Sequence, residues 1–493
     1  MSKLRYLPVI LLGLSIAGYI IVISFLHAVR LSHFMDGFDL AFYQQAIWNT
    51  VHGRFMAVSG TDFSQSLFGT DFILIYTLMV PFYALLPNPM TLLVLETIVV
   101  AFGAVPVYWL ARDTLKQPWL ALGLALLYLL LPVVQNGNLY ELRERQMACT
   151  FLLFAFYFWQ KGRLSLFGLF AVLALCCRPE NGLVLVMLGL YGWLSGRSKL
   201  PNSGRRFIWV PVALGLAWFL AALLIIQVAT GWNGFALGST FAGGSPVAAV
   251  TTLVTNPPKG FQQLFPTGAD LLGKLLYIPL LLLPFAFLPL LAPRPLLMAL
   301  PPVGLNLLAG AKRDLQFNPF DYHYQASVIP WLFVATIFAL VRLRTRPALA
   351  SKRLPLVVGG LLALTLFLNI GLNLWPAGLE LDGFPRIKNG WGPVLRVKEN
   401  ARWAAGKALL QQIPADAPLA ISNTWAPQVP PRHGLWLLTD RPLYSLHPAR
   451  DAQYAFADLR NSEEAAQVQK LLATGDWTEV ARQAEYSLLK RRQ

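Results

Sequence analysis

The chain has 493 residues, 56% hydrophobic and 13% charged, with a mean hydropathy of +0.53; this excludes an ordinary soluble globular protein and points to a polytopic membrane protein. Its formal net charge of +16 does not indicate a nucleic-acid binder, because the excess Lys/Arg lies in short loops against hydrophobic runs and forms no aromatic-interleaved basic stripe. The three cysteines, Cys149, Cys176 and Cys177, sit in apolar segments without metal-ligand spacing and imply no disulfide framework.

In chain order, Lys3 and Arg5 precede an apolar run over 7–26 with no small-residue cleavage site, so an uncleaved first transmembrane helix that doubles as the insertion signal is expected. A bilayer core of about 30 Å takes roughly 20 residues. Further spans are expected near 90–111, 118–134, 147–160, 164–177, 183–195, 207–229, 271–292, 295–310, 325–342 and 355–374, eleven in all. The segment 72–86 is apolar but short, contains Pro81 and ends in Pro87-Asn88-Pro89. It reads as a re-entrant or interfacial helix on the outer leaflet, which makes 27–89 one long outer loop. With the N-terminus inside, the inner loops carry Arg112, Lys116, Lys161, Arg163, Arg197 to Arg206, Arg294 and Arg342 to Arg353, with Asp113 the sole acid among them. The positive-inside rule is then met at every turn and the tail lies outside. The chain thus divides into a membrane domain, 1–374, and an extracytoplasmic α/β tail, 375–493. In the tail, 399–413 and 463–473 have helical periodicity, and 418–422, 453–459, 477–482 and 486–490 read as strands. It contains no glycine-rich phosphate loop and no nucleophile elbow.

Charge and aromatic residues gather in the expected outer segments. Asp36 and Asp39 follow the first span, and Asp39 precedes a helix over 40–51 that closes at Gly53, with Tyr43, Ala46, Ile47 and Thr50 on one face. An Asp at that place is a helix N-cap by default, and a carboxylate at a loop–helix junction near the membrane surface also suits a general base. Glu141, Arg143, Glu144 and Arg145 alternate in sign before a span, as local ion pairs on a solvated helix start or as part of a site. Arg178 and Glu180 occupy a very short, apolar-flanked turn, where ionisable groups face a cavity or pair with one another. Asp321 and His323 alternate in Phe320-Asp321-Tyr322-His323-Tyr324, a structural pair in an aromatic belt or a phosphate contact. A divalent metal is conceivable from Asp36, Asp39, Glu141 and His323, although no ligand spacing supports it and the cofactor stays unknown.

Asp39, Tyr43, Ala46 and Gly53 resemble the Asp-x-x-x-Tyr, Ala and Gly pattern in the first outer loop of C-type (GT-C) membrane glycosyltransferases, such as protein O-mannosyltransferases and aminoarabinose transferases. FDLAFYQQAIWNTVHGRF (38–55), PFYALLPNPMTLLVL (81–95), RPENG (178–182), YHYQASVIPWL (322–332) and QQIPADAPLAIS (411–422) are similar to the bacterial membrane family called domain of unknown function 2079. The GT-C resemblance implies an all-α polytopic membrane domain with interfacial helices in its first outer loop, an active site on the outer face of a bacterial inner membrane, and a polyprenyl-phosphate-linked sugar donor. It also implies an envelope acceptor and inversion at the anomeric carbon. By match, Asp39 is the base and Asp36 its neighbour in reserve; Arg143, Arg145, Arg178, Lys312, Arg313 and His323 would serve the donor phosphate. Tyr43, Asp71, Glu141, Glu144, Glu180 and Asp321 complete the candidate set. The chain departs from the family where Asp71 in Gly69-Thr70-Asp71-Phe72 replaces a His, and where Glu141-Leu142-Arg143-Glu144-Arg145 replaces an acidic-aromatic-His cluster. Such departures fit a divergent substrate or an inactive relative. The rival readings are a transporter or flippase of lipid-linked glycans and a non-catalytic envelope-assembly protein. A transporter places ionisable residues in mid-span or breaks its helices there, and the nearly charge-free spans favour an enzyme.

Overall fold

The computed structural model describes residues 3–59, 65–196, 204–230, 246–265, 268–308, 319–345, 353–374, 387–439 and 451–492. The chain divides into two compact units, Met1–Phe25, Glu96–Leu224 and Gly234–Val394 in one, and Leu26–Leu95, Ile225–Asn233 and Leu395–Gln493 in the other.

The described part of the first unit is helical. Five helical stretches that enter or lie within it are long and apolar enough to cross a membrane: Tyr6–Ser32, Pro89–Leu115, Pro118–Leu139, Arg206–Ala229 and Leu354–Leu374. Each of the eleven expected stretches contains helix among the described residues, but in the other six it is shorter: Glu144–Gln160, Leu164–Cys177, Asn181–Leu194, Gly268–Leu282, Leu300–Leu307 and Ile329–Arg344. A helix of 14 residues, such as Leu164–Cys177, rises only about 21 Å, less than a hydrocarbon core of about 30 Å. Proline explains the most broken stretch. After Leu282 the chain runs through 3-10 turns at Leu283–Phe285, Leu288–Leu291 and Arg294–Ala299, where Pro284, Pro289, Pro293 and Pro295 withhold the N–H groups a continuous helix needs. Elsewhere small residues bring helices together. A Cβ on Gly182 would meet the carbonyl oxygen of Gly215 at 2.4 Å, so the Asn181–Leu194 and Arg206–Thr230 helices touch backbone to backbone there.

In the second unit the tail does not stand by itself. The unit that holds residues 395–493 also takes in 26–95, so the first loop, expected to belong to the membrane domain, folds with the tail. The interfacial segment consists of a 3-10 helix, Ile75–Met79, and a helix, Val80–Leu85. Its exposed apolar side chains Leu78, Phe82, Leu85 and Leu86 make the kind of face that lies on lipid.

The tail forms a five-stranded sheet, β1 Leu419–Ile421, β2 Leu435–Leu437, β3 Tyr454–Asp458, β4 Trp477–Gln483 and β5 Tyr486–Arg491, in the order β2-β1-β3-β5-β4. Strand β1 pairs in parallel with β2 and β3, and β5 runs antiparallel to β3 and β4. The four expected strands and both helices are present as Arg402–Leu410, β1, β3, Ser462–Ala473, β4 and β5; β2 is the addition. Ala420, Trp436, Ala455, Ala457 and Leu489 of the sheet pack with Val468 and Leu471 of the Ser462–Ala473 helix.

That helix is anchored by its Asn461 cap and by Glu464, whose carboxyl accepts the Ser422 hydroxyl at 2.9 Å, the Asp458 N–H at 2.9 Å and the Asn461 amide at 3.1 Å. Burial, reinforced by the Asp458 carboxylate, pushes the Glu464 carboxyl from 4.5 up to about 7 despite these donors. A carboxyl whose folded value is raised favours the folded state most when protonated. Its contribution is therefore complete below about pH 4.5 and lost as the pH rises through about 7. Glu464→Gln, which keeps an acceptor oxygen and cannot ionise, should flatten that slope. Hydrogen exchange of the β3 amides across this range, in wild type and variant, measures it; an equal slope in both would assign it to another group.

Candidate functional site

In the second unit the candidate residues surround the Phe38–Val51 helix. Its N-cap is Gly37, with no side-chain bond, and the Phe38 N–H is instead received by Asn423 Oδ1 of the tail at 2.8 Å. Asp39 is thus not the N-cap that its position suggested. It sits in the first turn, half-buried, where a negative charge is favoured by the helix dipole. Asp36 is fully buried and held by Arg30, whose Nε lies 3.0 Å from its Oδ1 while Nη2 donates to the Met35 carbonyl. Burial raises the Asp36 carboxyl above the usual range, and the Arg30 guanidinium opposes this. The pair closes the turn between the first helix and the second. Tyr43 is buried against Tyr76, ring centroids 4.9 Å apart, and Asp71 caps the C-terminus of the short Leu67–Thr70 helix.

Almost the whole Phe38–Val51 helix is buried, including Gln44, Gln45 and Asn49. Each of these amides has work that an amphipathic reading of the helix does not anticipate. Gln44 donates to the Tyr83 hydroxyl at 2.9 Å, and Asn49 bridges the Ala57 carbonyl to the Arg54 guanidinium. Gln45 Nε2 reaches Ser59 Oγ and the carbonyls of Arg432 and His433 at 2.7 to 3.1 Å, and its Oε1 accepts the Ser59 N–H. Gln45 therefore joins the first loop to the tail.

In the first unit the candidates form a lattice of ion pairs between two tight turns. Glu144 begins the Glu144–Gln160 helix, Arg178 ends the Leu164–Cys177 helix and Glu180 caps the Asn181–Leu194 helix. Acids thus stand at helix N-termini and a cation at a C-terminus, as the helix dipoles favour. Arg178 Nε contacts Glu144 Oε1, Arg145 Nη1 lies 2.6 Å from Glu180 Oε1, and Arg143 Nη2 lies 3.7 Å from Glu141 Oε2. Arg178 and Glu180 pair across to the other turn and not with each other. The turn itself is tight, with Glu141 at φ +54°, a conformation a residue with a Cβ seldom adopts. Arg143 stacks on Tyr140 at 4.7 Å, and His323 stacks on the same ring, centroids 5.5 Å apart. Asp321 Oδ1 accepts the N–H groups of Lys388 and Asn389 at 2.9 and 2.7 Å, so one of its oxygens anchors backbone.

Lys312 and Arg313 lie outside the described residues. Among the described residues no three of His, Cys, Asp or Glu gather closely enough to hold a metal ion. One residue at this site escaped the sequence reading: Glu96, fully buried, whose Oε2 accepts the Arg143 N–H at 3.1 Å. It is the only acid in the Pro89–Ala101 helix, a signal that mid-span acids carry. Gln45 and Asn423 gave no comparable signal, because uncharged amides are unremarked in a sequence.

The family model described as "Predicted membrane protein (DUF2079)" matches residues 30–488. The chain belongs to this family. No curated protein matches the chain. Among solved structures it is similar to the crystal structure of ArnT from Cupriavidus metallidurans bound to undecaprenyl phosphate, with a TM-score of 0.57 and 12% identity. The likeness covers 96% of this chain and 97% of that one, so the GT-C-type fold, a helical membrane body with a small C-terminal sheet domain, extends over essentially the whole of both.

The lattice makes a direct prediction. Removing one partner of a buried ion pair leaves the other charge uncompensated, at a cost of about 3–5 kcal/mol. Arg178→Ala should therefore lower the thermal stability of the detergent-solubilised protein by about that amount, because Glu144 is fully buried. Arg178→Met combined with Glu144→Gln should recover most of the loss; a double variant no more stable than Arg178→Ala would mean that the charges do not act as a pair.

Proposed function

We propose that the protein transfers a sugar from a polyprenyl-phosphate-linked donor to an acceptor of the cell envelope. The observation that carries this reading is the fold shared over nearly all of both chains with ArnT, whose crystal structure holds undecaprenyl phosphate. In this proposal the protein spans a bacterial inner membrane with its N-terminus inside, and the chemistry takes place on the outer face. The boundary at residue 374 then marks where the membrane-spanning sequence ends.

Asp39 is the proposed general base. It lies in the first turn of the Phe38–Val51 helix, and that helix receives its cap from Asn423, which leaves the carboxylate of Asp39 out of the capping role. In the reaction Asp39 takes the proton of the acceptor hydroxyl, the oxygen attacks the anomeric carbon, and the bond from that carbon to the phosphate oxygen breaks with inversion. The bonding electrons leave with the lipid phosphate. Asp36, closed by Arg30, supports the loop and is not the proposed base. The proposed phosphate contacts are Arg143, Arg145 and Arg178, with His323, Lys312 and Arg313 as further candidates. Arg145 leads this group because it is the most accessible of the three paired arginines, at 16% side-chain exposure against 6% and 9%. A guanidinium carries five N–H donors and can bind a phosphate bidentately.

The test is Asp39→Asn in proteoliposomes supplied with undecaprenyl-phosphate-linked sugars. General-base catalysis contributes a factor of about 100 to 10,000, so transfer should fall by at least the lower figure while thermal stability changes by less than about 1 kcal/mol. Transfer at the wild-type rate would place the base elsewhere. If wild-type protein consumes none of these donors, sugar transfer from this lipid class is rejected.

A further inference from the structure

Three of the four carboxyls around the turn at residues 140–145 have a guanidinium partner: Glu141 with Arg143, Glu144 with Arg178 and Glu180 with Arg145. The fourth, Glu96, makes no ion pair among the described residues. Its side chain is fully buried in a helical stretch, Pro89–Leu115, that is long and apolar enough to cross a membrane. One oxygen, Oε2, accepts the Arg143 N–H, and the other, Oε1, meets no hydrogen-bond partner. Next to it in the chain, Thr97 Oγ1 accepts the Asn138 amide at 3.1 Å, a neutral bond that brings no cation to Glu96. A proton on Glu96 removes a charge that no ion pair compensates inside a membrane-spanning helix, and gives the unpartnered Oε1 an O–H to donate.

The charged and titratable groups whose fields reach Glu96 come from three neighbouring helices: Arg143 and Glu144 from the start of Glu144–Gln160, Tyr19 from the first helix, and Cys177 from Leu164–Cys177. Arg143 is the sole cation among these four, and its guanidinium is engaged by Glu141 and the Tyr140 ring. Glu144 repels a second negative charge. We propose that Glu96 is a proton-binding site, a neutral carboxylic acid in the resting protein, and that it is open to modification by a hydrophobic carbodiimide. The inference does not depend on the proposed sugar transfer.

A carbodiimide reports the protonation state directly. The carboxylic O–H adds across a C=N bond, the proton going to nitrogen and the oxygen to carbon, and the adduct rearranges to a stable N-acylurea. Full-length protein in lipid vesicles at about pH 7, where a carboxyl in water is ionised, is treated with dicyclohexylcarbodiimide and mapped by peptide mass spectrometry. Glu96 should carry the adduct while ion-paired Glu144 does not. In parallel, the infrared carbonyl band of a buried carboxylic acid should be present in wild type and lost in Glu96→Gln, whose amide keeps an acceptor and supplies an N–H. Absence of the adduct at Glu96, or a band that persists unchanged in Glu96→Gln, would overturn the proposal. Should that variant fail to fold, the wild-type adduct decides alone.

Discussion

Ionised side chains lose most of their solvation when they leave water, and a membrane-spanning helical unit can hold them only where another charge or a helix terminus replaces what water supplied. The contact between Arg178 and Glu144 meets that condition, joining the end of one helix to the start of another. Arg145 with Glu180 repeats the link between the two turns, and Arg143 pairs with Glu141 inside one of them. The short helices of this unit are too short to be placed by bilayer thickness alone, and the two turns that join them are fixed to each other by these pairs. Asn181 adds neutral bonds to the same turn, donating to the Ala174 carbonyl and receiving the Ser327 hydroxyl.

The lattice also shapes how an anionic ligand would bind. Each of the three arginines already has a carboxylate partner, so an incoming phosphate competes with Glu141, Glu144 or Glu180 for the guanidinium. The competition is least costly where water still reaches the pair, which singles out Arg145 and Glu180 at 16% and 10% exposure. The Arg178–Glu144 pair, at 9% and 0%, serves better as the fixed point against which the others adjust.

In the second unit uncharged amides do the corresponding work. Gln45 satisfies two tail carbonyls and the Ser59 side chain, and Asn423 supplies the cap that the Phe38–Val51 helix lacks in its own sequence. Buried amides of this kind are costly if unpaired and specific when paired. They explain why the loop that carries Asp39 folds with residues far away in the chain and not as an independent hairpin of helices.

The sequence by itself determined what depends on local pattern. Apolar run lengths marked the helical stretches of the membrane body, period-two and helical patterning located four of the five tail strands and both expected helices, and the family resemblance singled out Asp39, Tyr43 and the Arg178–Glu180 turn. Strand β2, Leu435 to Leu437, was missed, and it is its parallel pairing with β1 that defines it. Only the tertiary structure decided which charges neutralise one another, because Arg178 and Glu144 are 34 positions apart and alternating signs between 141 and 145 suggest neighbours as partners. It alone showed that Asn423 caps a helix 385 positions earlier, a task the sequence assigned to Asp39. It alone left Glu96 as a carboxyl without an ion pair among the described residues, since pairing depends on three-dimensional proximity and a one-dimensional pattern records only the presence of the charge.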